Sequence, residues 1–251
     1  MNEGTASCEL LTWDTDFFGF RIARLTQDTL TRELAESVDA WCRQNRIRCL
    51  YFLARSDDIE TTRWAERFVY RLVDVRLTLE CKPRQLLDPQ SELRLRVARP
   101  DDIAALQLIA SESHTDSRFF YDDGFPRASA QSLYETWIKR SVEGYAQTVL
   151  VALEQDDSAC GYVTCHLDRD SPRGQIGLVG VSSLARGRGV GRALVTAALG
   201  WFSEEGALEV EVVTQGRNEA AQRLYQRNGF VTRRLELWYH KWFTPEDDEI
   251  D

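Results

Sequence analysis

The sequence predicts an α/β (α+β) fold in two parts. Segments of helical periodicity alternate along the chain with short apolar or alternating strand-like segments. The series restarts after a proline-bearing stretch, Lys82 to Gln90. In the second part a nearly all-apolar strand runs into a glycine-rich turn and an amphipathic helix.

The elements follow in order. Ile22 to Leu25 reads as a short strand. Thr31 to Gln44 reads as a helix with Leu34, Val38 and Trp41 on one face. Cys49 to Ala54 is an apolar strand, Asp57 or Asp58 caps a helix through Phe68, and Leu72 to Leu79 alternates as a strand. After the linker, Leu93 to Val97 is a strand. Asp101 or Asp102 is the expected N-cap of a helix with Ile103, Leu106 and Ile109 facing inward. A polar, aromatic region spans His114 to Pro126, and Gln131 to Ser141 is helical. Gln147 to Glu154 and Gly161 to Asp168 form a hairpin, and Gln175 to Ser182 is a central strand. Gly191 to Glu205 is a helix with Leu194, Ala197, Ala198 and Trp201 toward the sheet. Leu208 to Thr214, Glu219 to Arg227 and Phe230 to Trp242 complete a strand, a helix and a final strand or strand pair. No internal repeat stands out. The boundaries expected are 1–90, 91–243 and an acidic tail, 244–251.

Composition narrows the function. The 251 residues carry 31 Lys and Arg against 40 Asp and Glu, a net charge of −9. That argues against a protein that coats nucleic acid, which needs a basic face. An apolar share of 43% with 28% charged residues is an ordinary globular balance. No apolar run approaches the ~18 residues of a membrane span, and the first residues carry Glu3 and Glu9 rather than the basic start of a secretory signal. Cys8, Cys42, Cys49, Cys81, Cys160 and Cys165 are scattered without a C-x-x-C pair, and they read as reduced thiols of a cytoplasmic protein. Cys160, Cys165 and His166 lack zinc-like spacing, so no metal is expected.

The local exception to the acidity is Arg186-Gly187-Arg188-Gly189-Val190-Gly191-Arg192, between the apolar strand and the helix. Glycines let backbone amides approach a ligand, and the first amides of a helix have no internal partner and carry the positive end of its dipole. A pyrophosphate is the natural occupant, with Arg186, Arg188 and Arg192 adding charge. Neither the dinucleotide G-x-G-x-x-G pattern nor the Gly-Lys-Ser/Thr of a P-loop occurs here. Downstream, Asn218 suits an N-cap and Asn228-Gly229 a helix stop, with Tyr225 near the end of the helix between them.

Arg186-x-x-Gly189-x-Gly191 and Asn218-x-x-Ala221-x-x-x-Tyr225 together resemble the paired motifs of the GNAT superfamily of N-acetyltransferases, over about residues 91 to 243. The resemblance implies a GNAT fold, a mixed central sheet flanked by helices, with acetyl-CoA as cosubstrate. It implies that Val179 to Val181 hydrogen-bond the pantetheine arm and that the amides of Arg186, Gly187, Arg188, Gly189, Val190 and Gly191 hold the pyrophosphate. Asn218 then contacts the cofactor and Tyr225 faces the thioester sulfur as general acid.

Leu11 to Phe20, Ser113 to Asp122 and Gly124-Phe125-Pro126 to Trp137-Ile138 resemble a branch of that superfamily, the acetyltransferases of TDP-fucosamine in enterobacterial common antigen synthesis. The implied acceptor is the amine of a TDP-linked 4-amino-4,6-dideoxygalactose, with residues 1–90 completing its site. A nucleotide-sugar needs cations and stacking surfaces, and His114, Arg118, Tyr121 and Phe125 are the candidates. The alternative for these aromatics is packing. For the proton on the amine, Glu112, His114, Asp122 and an ordered water chain are the candidates. Competing readings are a GNAT enzyme of another amine (a protein N-terminus, polyamine or drug), a non-catalytic CoA-binding sensor, and a first segment that binds a partner. No nucleic acid or membrane partner is expected, and the sequence leaves a homodimer open.

Overall fold

The computed structural model describes residues 7–83, 93–168 and 170–244. Most of the expected linker and the tail from Pro245 onward lie outside them. In chain order the elements are β1 (Cys8–Leu10), α1 (Thr12–Phe18), β2 (Ile22–Leu25), α2 (Arg32–Gln44), β3 (Cys49–Arg55), α3 (Ile59–Arg67), β4 (Arg71–Cys81), β5 (Arg94–Val97) and α4 (Ile103–Ser113). There follow α5 (Arg127–Arg140), β6 (Thr148–Leu153), β7 (Ala159–Asp168), β8 (Arg173–Val181), α6 (Val190–Glu204), β9 (Glu209–Gln215), α7 (Glu219–Arg227) and β10 (Val231–Trp242). The sequence reading places most of them within a few residues. It misses β1 and α1, a short helix that Gly19 ends at φ 78°.

Two compact units result: Met1–Arg76 with Tyr121–Phe125 and Leu235–Asp251, and Leu77–Phe120 with Pro126–Arg234. A single division near residue 90 does not describe this arrangement. Residues Glu236 to Trp242 of β10 pair with β3 in the first unit, and Asp122 and Phe125 of the Tyr121–Phe125 segment are buried there.

In the first unit the strand order is β1-β2-β3-β10, with β2 and β3 parallel and the other pairs antiparallel. Ala35, Val38 and Cys42 of α2 pack with Leu50, Phe52 and Tyr70 in its core. In the second unit the order is β9-β8-β7-β6-β5, with only β8 and β9 parallel.

Helix α6 lies on this sheet through Leu194, Val195, Ala198, Leu199 and Phe202. Ala197 and Trp201 are only partly buried, so its inner face is rotated from the expected one. The Phe202 ring occupies the place where a side chain at Gly174 would stand. The expected cap at Asp101 or Asp102 is also revised. Asp102 stands at the N-cap position of α4, but its side chain makes no capping hydrogen bond there. Its carboxylate accepts from the Arg99 amide at 2.6 Å and from Arg96 at 2.7 and 2.9 Å.

The structure contains a repeat that the sequence does not show. One offset of 160 residues carries β3 and α3 onto β9 and α7, with Cys49 on Glu209, Asp58 on Asn218 and Arg67 on Arg227. The same offset carries the α2 C-terminus, Gln44, onto that of α6, Glu204. The backbone repeats with it. Ile47 N–H to Cys42 O and Ala207 N–H to Phe202 O are both 2.9 Å, and Tyr70 N–H to Ala65 O (2.8 Å) matches Phe230 N–H to Tyr225 O (3.1 Å). Left-handed residues recur at Arg46 and Gly206 (φ 52° and 79°) and at Val69 and Gly229 (φ 60° and 90°). Each unit is thus a β–α–β–α arrangement with a parallel strand pair. The first has non-glycine residues where the second has glycine, which hides the likeness in the sequence.

Candidate active site

Strand β8 provides the first wall. Its register with β9 runs from Arg173↔Glu209 to Ile176↔Val212, while β8 continues to Val181 and β9 to Gln215. Against β7, Val163 pairs with Val179 but Cys165 with Ile176, so β8 holds one extra residue near Gly177 and Leu178, a bulge. Thr164 Oγ1 accepts from the Leu178 amide there, at 2.8 Å.

The pairing beyond the bulge decides which backbone groups face the opening. Ser182 N–H donates to Cys160 O at 2.9 Å, so Gly161↔Val181 is a non-hydrogen-bonded pair. Alternation then turns the N–H and C=O of Val179 and Val181 away from β7. Val181 O is accordingly reached by Ser113 Oγ and by Arg186 Nε, each at 3.4 Å.

The head of α6 provides the second wall. Gly189 is its N-cap at φ 82°, with no capping side chain, and Gly187 has φ 77°. These positive values favour glycine. The first intrahelical bond is Ala193 N–H to Gly189 O, 3.0 Å, which leaves the amides of Val190, Gly191 and Arg192 ahead of the helical ladder.

The third wall is α7. Asn218 Oδ1 caps it by accepting from the Ala221 amide at 3.0 Å, so the cap reading holds and the side-chain NH2 is left for a ligand. Tyr225 is 5% exposed, and burial pushes its phenol pKa up, so the hydroxyl keeps its proton. The three walls enclose a cleft of about 630 Å³. Among its lining residues are Val179, Val181, Gly187, Gly189, Val190, Gly191, Asn218 and Tyr225, with Arg186, Arg192, Arg223 and Arg227 as cations.

Arg188 departs from expectation. Its guanidinium makes a two-pronged ion pair with Glu154, at 2.7 and 2.9 Å, so its charge is already matched. The candidate acceptor residues also separate. His114 stacks on Tyr134 at 4.5 Å, and its Nε2 lies 2.9 Å from the Tyr162 hydroxyl. Desolvation pulls its pKa down to about 4, so at neutral pH it is not the cation a dianion needs. Arg118 lies over the Phe119 ring at 4.4 Å, and Tyr121 is 49% exposed. Phe125 is 4% exposed among Phe18, Phe20, Tyr51, His240 and Trp242, the packing alternative. Asp122, a candidate base, is buried in the first unit with its carboxylate taken by His240 and Trp242. Glu112 has its backbone carbonyl bonded by Arg186 at 3.3 Å. Among the described residues no cluster of His, Cys, Asp or Glu suits a metal, and no helix is long and apolar enough to cross a membrane.

Residues 106–230, which hold all three walls, match the acetyltransferase (GNAT) family. The chain carries a GNAT acetyltransferase domain. It is an N-acetyltransferase of GNAT type that draws on acetyl-CoA. A dTDP-fucosamine acetyltransferase of Escherichia coli is 26% identical over 94% of this chain and 98% of its own length. A mycothiol acetyltransferase of Gordonia bronchialis is 37% identical, over 32% of this chain and 25% of its own length. A GCN5-related N-acetyltransferase structure from Sphaerobacter thermophilus shares the fold with a TM-score of 0.67, at 20% identity, over 95% of this chain and 76% of that one.

Within the GNAT domain, sequence reasoning missed Thr164, Tyr162 and Ser113. Each is a polar residue on an apolar strand or at a helix end, and its partner on β8 or at His114 is set by sheet register and packing. Local pattern carries no signal for that.

Proposed function

We propose that this enzyme acetylates the amine of a nucleotide-linked amino sugar, a TDP-4-amino-4,6-dideoxy sugar. The observation that carries this reading is the extent of the likeness to the dTDP-fucosamine acetyltransferase, which spans both units rather than the cofactor-binding half alone. The six cysteines, scattered and without a C-x-x-C pair, fit a reducing compartment, the cytoplasm.

The cleft suggests how each group serves. The amides at the head of α6, those of Val190, Gly191 and Arg192, hold the pyrophosphate of acetyl-CoA together with the Arg186 and Arg192 side chains. The outward N–H and C=O of Val179 pair with the amide groups of the pantetheine arm, so the thioester lies along β8 toward Val181. The acceptor amine attacks the acetyl carbon. A C–N bond forms, the C–S bond breaks, and the amine loses one proton as the thiolate leaves. The Val181 amide polarises the carbonyl oxygen. Tyr225, kept protonated by burial, donates its hydroxyl to the departing sulfur. The NH2 of Asn218 binds the cofactor beside it. On the acceptor side, Arg118 and Tyr121 are the residues offered to the nucleotide. A water chain fits the base role better than Asp122, which is occupied, or His114, which is a weak base.

Thiol release from acetyl-CoA, measured with TDP-4-amino-4,6-dideoxygalactose beside peptides and polyamines, tests the reading. The sugar nucleotide is expected to give the highest kcat/KM, and a peptide or polyamine preferred over it would overturn the assignment. Tyr225→Phe is expected to lower kcat by on the order of tenfold or more while acetyl-CoA affinity stays within about twofold. Unchanged kcat removes the acid role.

A further inference from the structure

The connection between α4 and α5, residues 114–126, carries all of the acceptor-site candidates. It is fixed in different ways at its two ends. Near its start, Ser113, Thr115 and Asp116 line the cofactor cleft, and Arg217 donates to Asp116 O at 3.4 Å. Its last part, Tyr121–Phe125, is counted with the first unit, although the chain on both sides belongs to the second.

Asp122 is the pin at that end. It is 2% exposed. Its carboxylate accepts from His240 Nδ1 at 2.6 Å, from Trp242 Nε1 at 2.9 and 3.1 Å, and from the Gly124 amide at 3.1 Å. Burial pushes its pKa up, but the hydrogen bonds from His240 and Trp242 outweigh this and hold it below the usual carboxylate range. An ionised carboxylate only accepts, so every partner here is a donor. The Phe125 amide then closes on Asp122 O at 3.0 Å, which sets the turn that buries the Phe125 ring.

A buried carboxylate among aromatic rings is a poor way to gain stability, because apolar residues of the same volume do as well or better. What it fixes is geometry, since two donors from β10 and one from its own turn meet one group. We infer that Asp122 is a positioning residue for the acceptor amine, acting through the 114–126 connection rather than on the reacting atoms. The inference rests on the proposed reading that this connection meets the acceptor.

The test is a split of kinetic constants in the full-length enzyme. Asp122→Asn keeps the size but turns an NH2 toward an N–H donor. It is expected to raise KM for the amino-sugar nucleotide by on the order of tenfold, with KM for acetyl-CoA within about twofold and kcat within about threefold. Trp242→Phe removes one donor and keeps an aromatic ring, so a smaller rise in the same constant is expected. It decides the matter should Asp122→Asn fail to fold. Equal rises in both KM values, or an unchanged amine KM, overturn the inference. Absence of acetylation by the unaltered enzyme instead strikes the acceptor reading. The same split is then measured with whichever amine of the panel the enzyme acetylates.

Discussion

At the head of α2 a threonine hydroxyl, that of Thr31, accepts the Leu34 amide at 3.2 Å. At the head of α6 stands Gly189, with no side chain to do so. The second helix of each half shows the same contrast in degree. Asp58 takes two amides, those of Glu60 and Thr61 at 3.0 and 3.1 Å, where Asn218 takes one. The space between the parallel strands differs too. In the first unit, Arg55 N–H bonds Asp28 O at 2.9 Å, and Leu30, 2% exposed, seats its amide on Thr61 Oγ1 at 2.9 Å. In the second, the position 160 residues after Thr61 is Ala221, which lines an open cleft. A side-chain cap is worth about 1 kcal/mol to a helix. A half that forgoes it keeps amides for an anion, and a half that makes it satisfies itself. The proposed cofactor site is thus a matter of what has been left uncapped and unfilled on a shared backbone.

The largest effect is expected where the open half is made to resemble the closed one. Gly189→Val forces a branched residue to φ 82°, which strains the turn that presents the first amides of α6. Acetyl-CoA affinity should fall at least ~100-fold, about 2.7 kcal/mol, by calorimetry. The matched change in the other half, Thr31→Ala, should cost about 1 kcal/mol of folding stability and leave the cofactor affinity unmoved. If Thr31→Ala weakens binding as Gly189→Val does, the two halves are not distinct in function.

A middle effect comes from the second pair of caps. Asn218→Ala and Asp58→Ala should each lower stability by about 1 kcal/mol in thermal melts, but only Asn218→Ala should also weaken acetyl-CoA, by on the order of fivefold.

The pH response should separate the units as well. His114 in the second unit has its folded pKa depressed to about 4, so unfolding takes up a proton once pH is below the ordinary value near 6.5. Its contribution is complete above that pH and is lost at about 1.4 kcal/mol per unit as pH falls from 6.5 toward 4. Asp122 in the first unit is depressed in the carboxylate sense, so its contribution is present above about pH 4 and is lost only below. Denaturant melts of His114→Asn should therefore be flatter between pH 6.5 and 4, and a slope equal to that of the parent chain would refute the assignment.

The smallest effect sharpens the picture of the turn. Arg188→Ala should change acetyl-CoA affinity less than threefold, because its guanidinium is committed to Glu154.

The elements of both halves, β1 and α1 apart, were legible in the sequence, but only the open half carried a motif that points to a ligand. Periodicity, caps and glycines mark β8, α6 and α7, because they act over a few residues. That Arg188 is matched by Glu154, 34 positions away, and Asp122 by His240, 118 positions away, depends on pairings between distant strands and loops. The repeat was invisible for a related reason. Arg46 and Val69 hold conformations that glycine holds at 206 and 229, so the backbone recurs without its usual residues.

On the proposed reading the open half alone holds the cofactor, and titration calorimetry of the full chain with coenzyme A decides whether it does. One molecule bound per chain is the expected result, with no binding left in Gly189→Val. Two molecules per chain, or one that survives Gly189→Val, would contradict it.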